Sequence, residues 1–159
     1  MAESSSHQVK LYGAAISGYA NIIHCALKLK GVPYDYFVGL TYVILSSEGD
    51  AQRKAAEEYR EHMITLEDGV REDLWSGGPF INGESPGLLD LVVGSGRDGI
   101  ACMGELAGVK LVEKERMPLL CSVMEAFVKL DAVKEVMIPK EVHMKYILAI
   151  REKISASSA

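Results

Sequence analysis

The first forty residues have the hydrophobic pattern of a strand, a helix and a second strand. Apolar and polar residues alternate over 9–13 and stop at Gly13, which is typical of a short strand. From 20 to 30 the apolar residues recur at helical spacing, and Gly31 is placed to end that helix. Residues 32–38 predict the second strand. Such a β-α-β unit normally belongs to a larger sheet, yet no third strand pattern follows.

The remainder of the chain has the periodicity of helices. A compact apolar run at 40–45 is followed by 51–74, where apolar residues form one stripe of a long amphipathic helix. Further helices are predicted over 117–127, over 131–136 and from Pro139 onward, since proline suits a first helical turn. Between them, 75–83 is predicted to be a loop whose apolar residues pack onto the core.

The stretch 86–111 has few charges and predicts a buried element at the centre of the fold. One interpretation is a strand at 88–93 that leads into G-x-G-x-x-G at 94–99, the spacing of a nucleotide-binding loop. The other is one long helix that begins at Gly87, with Asp90 in its first turn. We favour the helix, because the downstream chain offers no further parallel strands and no proline interrupts the run.

Composition and charge narrow the classes of partner. The 159 residues are 48% hydrophobic and 25% charged, as in an ordinary globular protein. A net charge of −5 without a basic cluster argues against nucleic acid or an acidic membrane as the partner. The N-terminus lacks an apolar signal core and no apolar run reaches membrane-spanning length, so the expected location is the cytoplasm.

The cysteines and histidines predict neither a disulfide nor a metal site. Cys25, Cys102 and Cys121 are odd in number, well separated and set among apolar residues, which favours buried thiols. The four histidines have no ligand spacing and are interpreted as solvent or packing residues.

Five separated motifs stand out along the chain: VKLYG at 9–13, ALKLKGVPYDY at 26–36, GESPGLLD at 83–90, GVKL at 108–111 and DAVKEV at 131–136. Together they resemble motifs of plant glutathione transferases of the tau class. The motifs follow the family's order and span nearly the whole chain. The resemblance implies a mainly α fold, in which 1–39 is a short β-α-β remnant of a thioredoxin-like, glutathione-holding domain. It implies that 40–159 is the all-helical C-terminal domain, which supplies the pocket for a hydrophobic co-substrate.

The resemblance also implies that a segment of the family's first domain is missing. In the family the second strand leads into a helix, a cis-proline turn, two more strands and a Glu-Ser pair that grips glutathione. This chain instead passes at about residue 39 directly into the helical region. Ligand groups left without partners cost several kcal/mol, so the resemblance implies weakened activity.

Ser17 aligns with the family's catalytic serine. The resemblance implies that its hydroxyl binds the glutathione sulfur and stabilises the reactive thiolate. The residues alone favour Ser17 as an N-cap of the following helix, and this role is compatible with the catalytic one. The family has an aromatic residue two positions before the serine and Pro-Phe after it, whereas this chain has Ala15, Gly18 and Tyr19.

The expected co-substrate pocket also departs from the family. The sequence GRDG at 96–99 replaces an aromatic cluster in the central helix, which removes apolar lining. Tyr19, Ile100 and Met103 remain as candidates for that lining. We interpret the two charged residues of this tetrapeptide as an ordinary solvated turn of helix.

Two functions are open at this point. One is an enzyme that conjugates glutathione to hydrophobic electrophiles, as in detoxification, with glutathione as co-substrate and no metal. The alternative is a non-catalytic protein that binds a hydrophobic ligand or pairs as a homodimer, or as a heterodimer with full-length relatives. The alternative is motivated by the two strands, whose unpaired edges invite a partner.

Overall fold

The computed structural model describes residues 9–13 and 18–157. The strands are β1 (Val9–Gly13) and β2 (Tyr34–Val38). The helices are α1 (Gly18–Leu29), α2 (Leu40–Ser46), α3 (Gly49–Asp73), α4 (Leu88–Ser95), α5 (Arg97–Ala107), α6 (Pro118–Phe127), α7 (Asp131–Val136) and α8 (Lys140–Ser157). The prediction of a mainly α fold with a short N-terminal β-α-β unit is confirmed. Among the described residues no helix has the length and apolar character needed to cross a membrane.

The N-terminal unit is a parallel pair of strands joined by α1. β1 pairs with β2 from Val9 opposite Tyr34 to Gly13 opposite Val38, and the described residues contribute no further strand to this sheet. The helix ends where Gly31 adopts a φ of 64°. The Val32 N–H then donates to the Leu27 carbonyl, which with the Gly31 bond to Lys28 forms a Schellman motif. This turn returns the chain to the sheet.

The central stretch is helical but not continuous. Residues 88–93, which the nucleotide-loop interpretation assigned to a strand, lie in α4, so that interpretation is wrong. The single long helix is also wrong, because α4 and α5 are separated at Gly96. Three glycines within 94–99 weaken the helix at this point. Nor is the element buried on all sides, since Leu88 is 79% exposed at the start of α4.

The core consists of two clusters that meet at Ile100. The first lies where α3, α4 and α6 pack together, and its largest buried members are Val70, Met117, Leu120 and Val123. The second lies where α2, α3 and α5 pack together, and its members are Ile44, Ala55, Ala56, Met103, Ala107 and Leu111. Ile100 packs against both clusters, so the first half of α5 joins them into one core.

The loop after α3 packs onto the core only in part. Phe80 and Ile81 are buried, as predicted for this loop. Trp75 instead remains exposed, and its indole N–H donates to the Gly78 carbonyl at 3.4 Å. The prediction of inward packing is therefore wrong for the indole.

Close approach between α4 and α6 requires a glycine. A Cβ built on Gly94 would lie 2.7 Å from the Phe127 Cβ, a separation that side chains essentially never show. The Phe127 backbone would have to move to accommodate it, since the Cβ is not the flexible end of the ring.

We expect Gly94→Ala to lower the free energy of unfolding by about 2 kcal/mol, the usual cost of overpacking a core. Gly69→Ala is the matched control, because Gly69 also lies inside a helix but a Cβ there meets nothing within 4 Å. The control should raise stability by about 0.5–1 kcal/mol. Urea unfolding followed by circular dichroism measures both, and equal effects of the two substitutions would contradict the close approach.

Candidate functional site

The predicted catalytic residue stands next to the first helix in sequence. Ser17 lies outside the described residues, and α1 begins one residue later, at Gly18. Tyr19 lies within α1, but its side chain falls outside the described part of the chain. The catalytic role of Ser17 and the lining role of Tyr19 therefore stay predictions.

Aromatic contacts fix α1 against β2. The His24 ring lies 5.3 Å from the Tyr34 ring in a T-shaped arrangement and 5.4 Å from the Tyr36 ring. The Lys28 Nζ lies 6.0 Å from the centre of the Tyr34 ring, within cation–π range. These contacts orient the helix that follows Ser17 relative to the sheet.

The opposite side of α1 is apolar and exposed. Ile22, Ile23 and Leu29 all project into solvent, and Leu29 is 88% exposed. β2 continues through Gly39 directly into α2, so no described residue covers this side with another strand or helix. An exposed apolar patch of this kind marks a surface that another molecule can cover.

A separate cleft of about 710 Å³ lies between α5, the connection 108–112, α6 and the start of α8. Its apolar floor includes Ile100, Leu111, Val112 and Met124. Its rim is formed by charged residues of both signs. The volume is that of a typical small-molecule site.

Arg97 and Asp98 line this cleft, which corrects the interpretation of a solvated turn. The Asp98 residue is only 8% exposed, and its carboxylate accepts a hydrogen bond from Arg97 Nη1 at 2.6 Å. The break at Gly96 restarts the helix, so Asp98 falls in the first turn of α5, where the helix dipole favours a carboxylate. In one continuous helix, Asp98 would lie in the interior, away from the N-terminal end of the helix dipole.

A second ion pair joins the rim of the cleft across two helices. Lys140 Nζ donates to Glu105 Oε2 at 2.8 Å, and this hydrogen bond is the main reason that the pKa of Lys140 is raised. The two residues are 35 positions apart, so the helical periodicity of each segment contains no signal for the contact.

The two described candidates for pocket lining go to different places. Ile100 lines the cleft as well as joining the two core clusters. Met103 is buried in the second core cluster, where Ile44 of α2 also lies. The structure thus places Ile100 at a surface that a ligand can reach and Met103 in the core.

All three cysteines are free thiols, but they differ in burial. Burial raises the pKa of Cys102 and of Cys121, and for Cys121 the nearby Glu125 carboxylate raises it further. Cys25 is exposed on α1, so the prediction of a buried thiol is wrong there. Over 9–13 and 18–157 no cluster of histidine, cysteine and carboxylate side chains could hold a metal ion.

No protein-family model matches the chain. Among curated proteins, it is 34% identical over 93 residues to glutathione transferase GST 23 of Zea mays, covering 58% of this chain and 40% of that protein. It is 29% identical over 124 residues to glutathione S-transferase U16 of Arabidopsis thaliana, covering 77% and 53%. The chain thus spans about half the length of the curated relatives it matches.

Solved structures show a similar fold. The tau-class glutathione S-transferase of mango, Mangifera indica, superposes with a TM-score of 0.61 at 19% identity, covering 87% of this chain and 96% of that one. The chain is a homologue of plant tau-class glutathione transferases. Rice GST1, solved in complex with glutathione, superposes with a TM-score of 0.60 at 17% identity, covering 72% and 48%.

The fold of this chain agrees with what the five sequence motifs implied. The resemblance and the fold class that it implied are confirmed by the curated relatives and by the superpositions. The chain also contains features that the motifs did not indicate, namely the buried Asp98, the Lys140–Glu105 pair and the cleft that these residues line. The departure GRDG at 96–99 was the one sequence signal for the first of these.

Proposed function

We propose that the protein is a glutathione-transferase-like enzyme of weakened activity that conjugates glutathione to hydrophobic electrophiles. The observation that carries the proposal is homology to plant tau-class transferases over 58–77% of this chain in the first two relatives. In the proposed reaction the glutathione thiolate attacks an electrophilic carbon, and the leaving group departs with the bonding electrons.

Ser17 has the central role in this proposal. A free thiol has a pKa near 8.5, so most glutathione is protonated at neutral pH. A hydroxyl that donates a hydrogen bond to the sulfur favours the thiolate and lowers that pKa. The N-terminus of α1, which follows Ser17 directly, adds the favourable end of a helix dipole.

We propose that the activity is weakened because the N-terminal β-α-β unit is small. Glutathione has two carboxylates and an ammonium group, each of which needs a partner when it is bound. The described part of 1–39 offers only two strands and one helix for this purpose. Each charged group left unpaired costs about 1–3 kcal/mol or more, and every 1.4 kcal/mol is tenfold in affinity.

We further propose that 1–39 and 40–159 act as separate domains, that the protein works in the cytoplasm, and that it pairs with itself or with full-length relatives. The exposed apolar side of α1, with Ile22 and Leu29, supports the pairing. It also favours a second candidate function, that of a non-catalytic protein that binds hydrophobic ligands or partners.

Conjugation of glutathione to a chlorodinitrobenzene tests the enzyme. We expect turnover above the uncatalysed rate, and a decrease of about 100-fold in Ser17→Ala, because the variant loses a hydrogen-bond donor to the developing charge. Ser122→Ala, at an exposed position of α6, is the matched control and should leave turnover unchanged.

Two outcomes would contradict the proposal in different ways. Equal turnover in the wild type and in Ser17→Ala would show that Ser17 only caps α1. If a wild-type protein that melts cooperatively gave only the uncatalysed rate, the enzyme would be excluded and the non-catalytic candidate would remain.

A further inference from the structure

We propose that the C-terminal half of α3 pairs antiparallel with α3 of a second copy of this chain. The contact surface is a shallow groove of about 480 Å³, which we call the α3 groove. Its lining residues are His62, Thr65, Leu66, Gly69, Val70, Asp73 and Leu74. This inference rests on the pairing proposed above and names the surface through which two copies meet. It involves neither Ser17 nor glutathione.

The α3 groove is the uncovered half of a stripe that runs along α3. In the first half, the Gln52 Nε2 donates to the Ile44 carbonyl of α2 at 2.8 Å, and Ala55 and Tyr59 pack in or against the second core cluster. The stripe advances by alternating steps of three and four residues, the spacing at which two helices pack along a seam. It continues in the same steps through the α3 groove, at positions 62, 66, 69 and 73. Among the described residues, those that line the groove all belong to α3 or directly follow it, so this half of the seam is open.

The shape of the groove is complementary to itself. A two-fold axis midway between positions 67 and 68 places Leu66 of each copy opposite Gly69 of the other. Leu66 is 37% exposed, whereas a Cβ built on Gly69 would meet nothing within 4 Å. The glycine therefore leaves a depression that the leucine of the second copy can enter. Because of the two-fold symmetry, this contact forms twice.

The charges favour the antiparallel arrangement over the parallel one. Asp73 is exposed at the end of α3, and in a parallel pair it would face the Asp73 of the other copy, which is unfavourable. In the antiparallel pair the same two-fold axis places Asp73 opposite His62. An imidazole N–H can donate to a carboxylate, and a protonated imidazole also attracts it. The opposed helix dipoles favour the same orientation.

The carboxylates beside the stripe do not oppose one another in this register. Glu61 pairs within its own chain with Arg116 Nη2 at 3.2 Å. The two-fold axis places Glu72 opposite Met63 of the second copy. The seam therefore forms without a cluster of like charges.

We expect the pairing to be weak. The α3 groove spans about three turns of one helix, and a contact of that length is smaller than a standard interface of about 800 Å² per partner. A dissociation constant of about 10–100 µM is typical of so small a contact. Sedimentation equilibrium of the wild type over a range of concentrations measures this constant.

Leu66→Glu tests the apolar part of the seam. The substitution places a carboxylate against Gly69 of the second copy, where it would be buried without a partner. We expect the dissociation constant to rise by about tenfold or more. Leu148→Glu on α8 is the matched control, because Leu148 is 41% exposed, and it should leave the constant unchanged. Circular dichroism verifies that both variants are folded.

An exchange of charges separates a contact between copies from an effect within one chain. His62 and Asp73 lie on one helix at a separation of about 16 Å, so they do not touch within a chain. His62→Glu should weaken pairing by about threefold to fivefold, because two carboxylates then face each other. Asp73→Lys should weaken it similarly, whereas a general effect of net charge would strengthen it. The double variant His62→Glu/Asp73→Lys should return to within about twofold of the wild type, because the introduced charges attract each other across the seam.

Three results would overturn the proposal. One is an equal rise of the dissociation constant in Leu66→Glu and Leu148→Glu, and another is a double variant that pairs no better than the weaker single variant. The third is loss of pairing in Ile22→Glu with none in Leu66→Glu, which would assign the contact between copies to α1.

These outcomes distinguish the surface from the pairing and from the enzyme. A dimer that persists in folded Leu66→Glu would exclude the α3 groove and leave the pairing in place. A wild type that stays monomeric up to about 1 mM would exclude both. None of the measurements uses glutathione, so an absence of conjugation would not affect the α3 groove.

Discussion

Replacement of Asp90 by Ala is expected to lower the free energy of unfolding by about 4 kcal/mol, because three backbone N–H groups lose a charged acceptor. Asp90 is 0% exposed. Its Oδ1 accepts the Ile81 N–H at 2.6 Å, and its Oδ2 accepts those of Asn82 at 3.2 Å and Gly87 at 2.9 Å. This carboxylate therefore ties the loop before α4 to the first turn of the helix.

The effect is measured by urea unfolding and by thermal melts. A loss of this size should lower the melting temperature by about 10 °C or more for a chain of this length. Asp90→Asn should have an intermediate effect, since the amide keeps one acceptor oxygen but turns an NH₂ group toward a backbone donor. Asp73→Ala, at the exposed end of α3, should change stability little. Equal stability of Asp90→Ala and Asp73→Ala would show that the three hydrogen bonds contribute nothing.

Replacement of Glu67 by Ala is expected to cost about 3 kcal/mol, because it removes the acceptor that caps another helix. Glu67 lies in α3 and is 1% exposed. Its two carboxylate oxygens accept the N–H groups of Leu119 at 2.9 Å and Leu120 at 2.8 Å, in the first turn of α6. The Arg71 guanidinium, which is about half exposed, pairs with the same carboxylate.

Substitutions within α3 separate the contribution of the Glu67 cap from that of the Arg71 ion pair. Glu67→Gln should lose less than Glu67→Ala, because the amide still offers one oxygen to α6. Arg71→Ala should cost about 1 kcal/mol or less, as its guanidinium is partly solvated. Glu72→Ala is the control at an exposed position of α3. If chemical unfolding gave the same midpoint for Glu67→Ala and Glu72→Ala, the capping role would be wrong.

Outside the central stretch 86–111, local patterns predicted the helices and strands well, because each signal lies within a few residues of what it controls. Gly31 marked the end of α1, and the last helix, predicted to have Pro139 in its first turn, begins one residue later at Lys140. The placement of Asp90 in the first turn of a helix was correct as well. Its three backbone partners lie within nine positions along the chain, so even this buried contact is nearly local.

The contacts that form only when helices pack together had no sequence signal close to them in the chain. Glu67 is one of many charges on α3, and only the docking of α6 makes it a buried cap. The sequence does not show which of the three glycines within 94–99 separates α4 from α5, and in the structure it is Gly96, with Asp98 buried in the turn that follows. The sequence alone therefore favoured a solvated turn at Arg97 and Asp98, whereas in the structure these residues line the wall of a cleft.

In the candidate site, too, some features follow from local sequence patterns and others depend on how the helices pack. Ile100 was predicted to line a pocket and does line the cleft, but Met103 lies in the core. The rim joins Arg97, Glu105 and Lys140, which come from two helices and only meet when α8 packs on α5. Periodicity assigns each side chain to a face of its own helix, and it does not specify which faces come together.

The buried carboxylate of Glu67 also constrains the order in which a nascent chain can assemble. Its two backbone partners are synthesised 52 and 53 residues after it. Until they leave the ribosome, the charge must stay in water, and α3 cannot settle with this side facing inward. The apolar stripe of α3 thus stays accessible to chaperones through most of translation, and we expect the bundle to close only once α6 has been made.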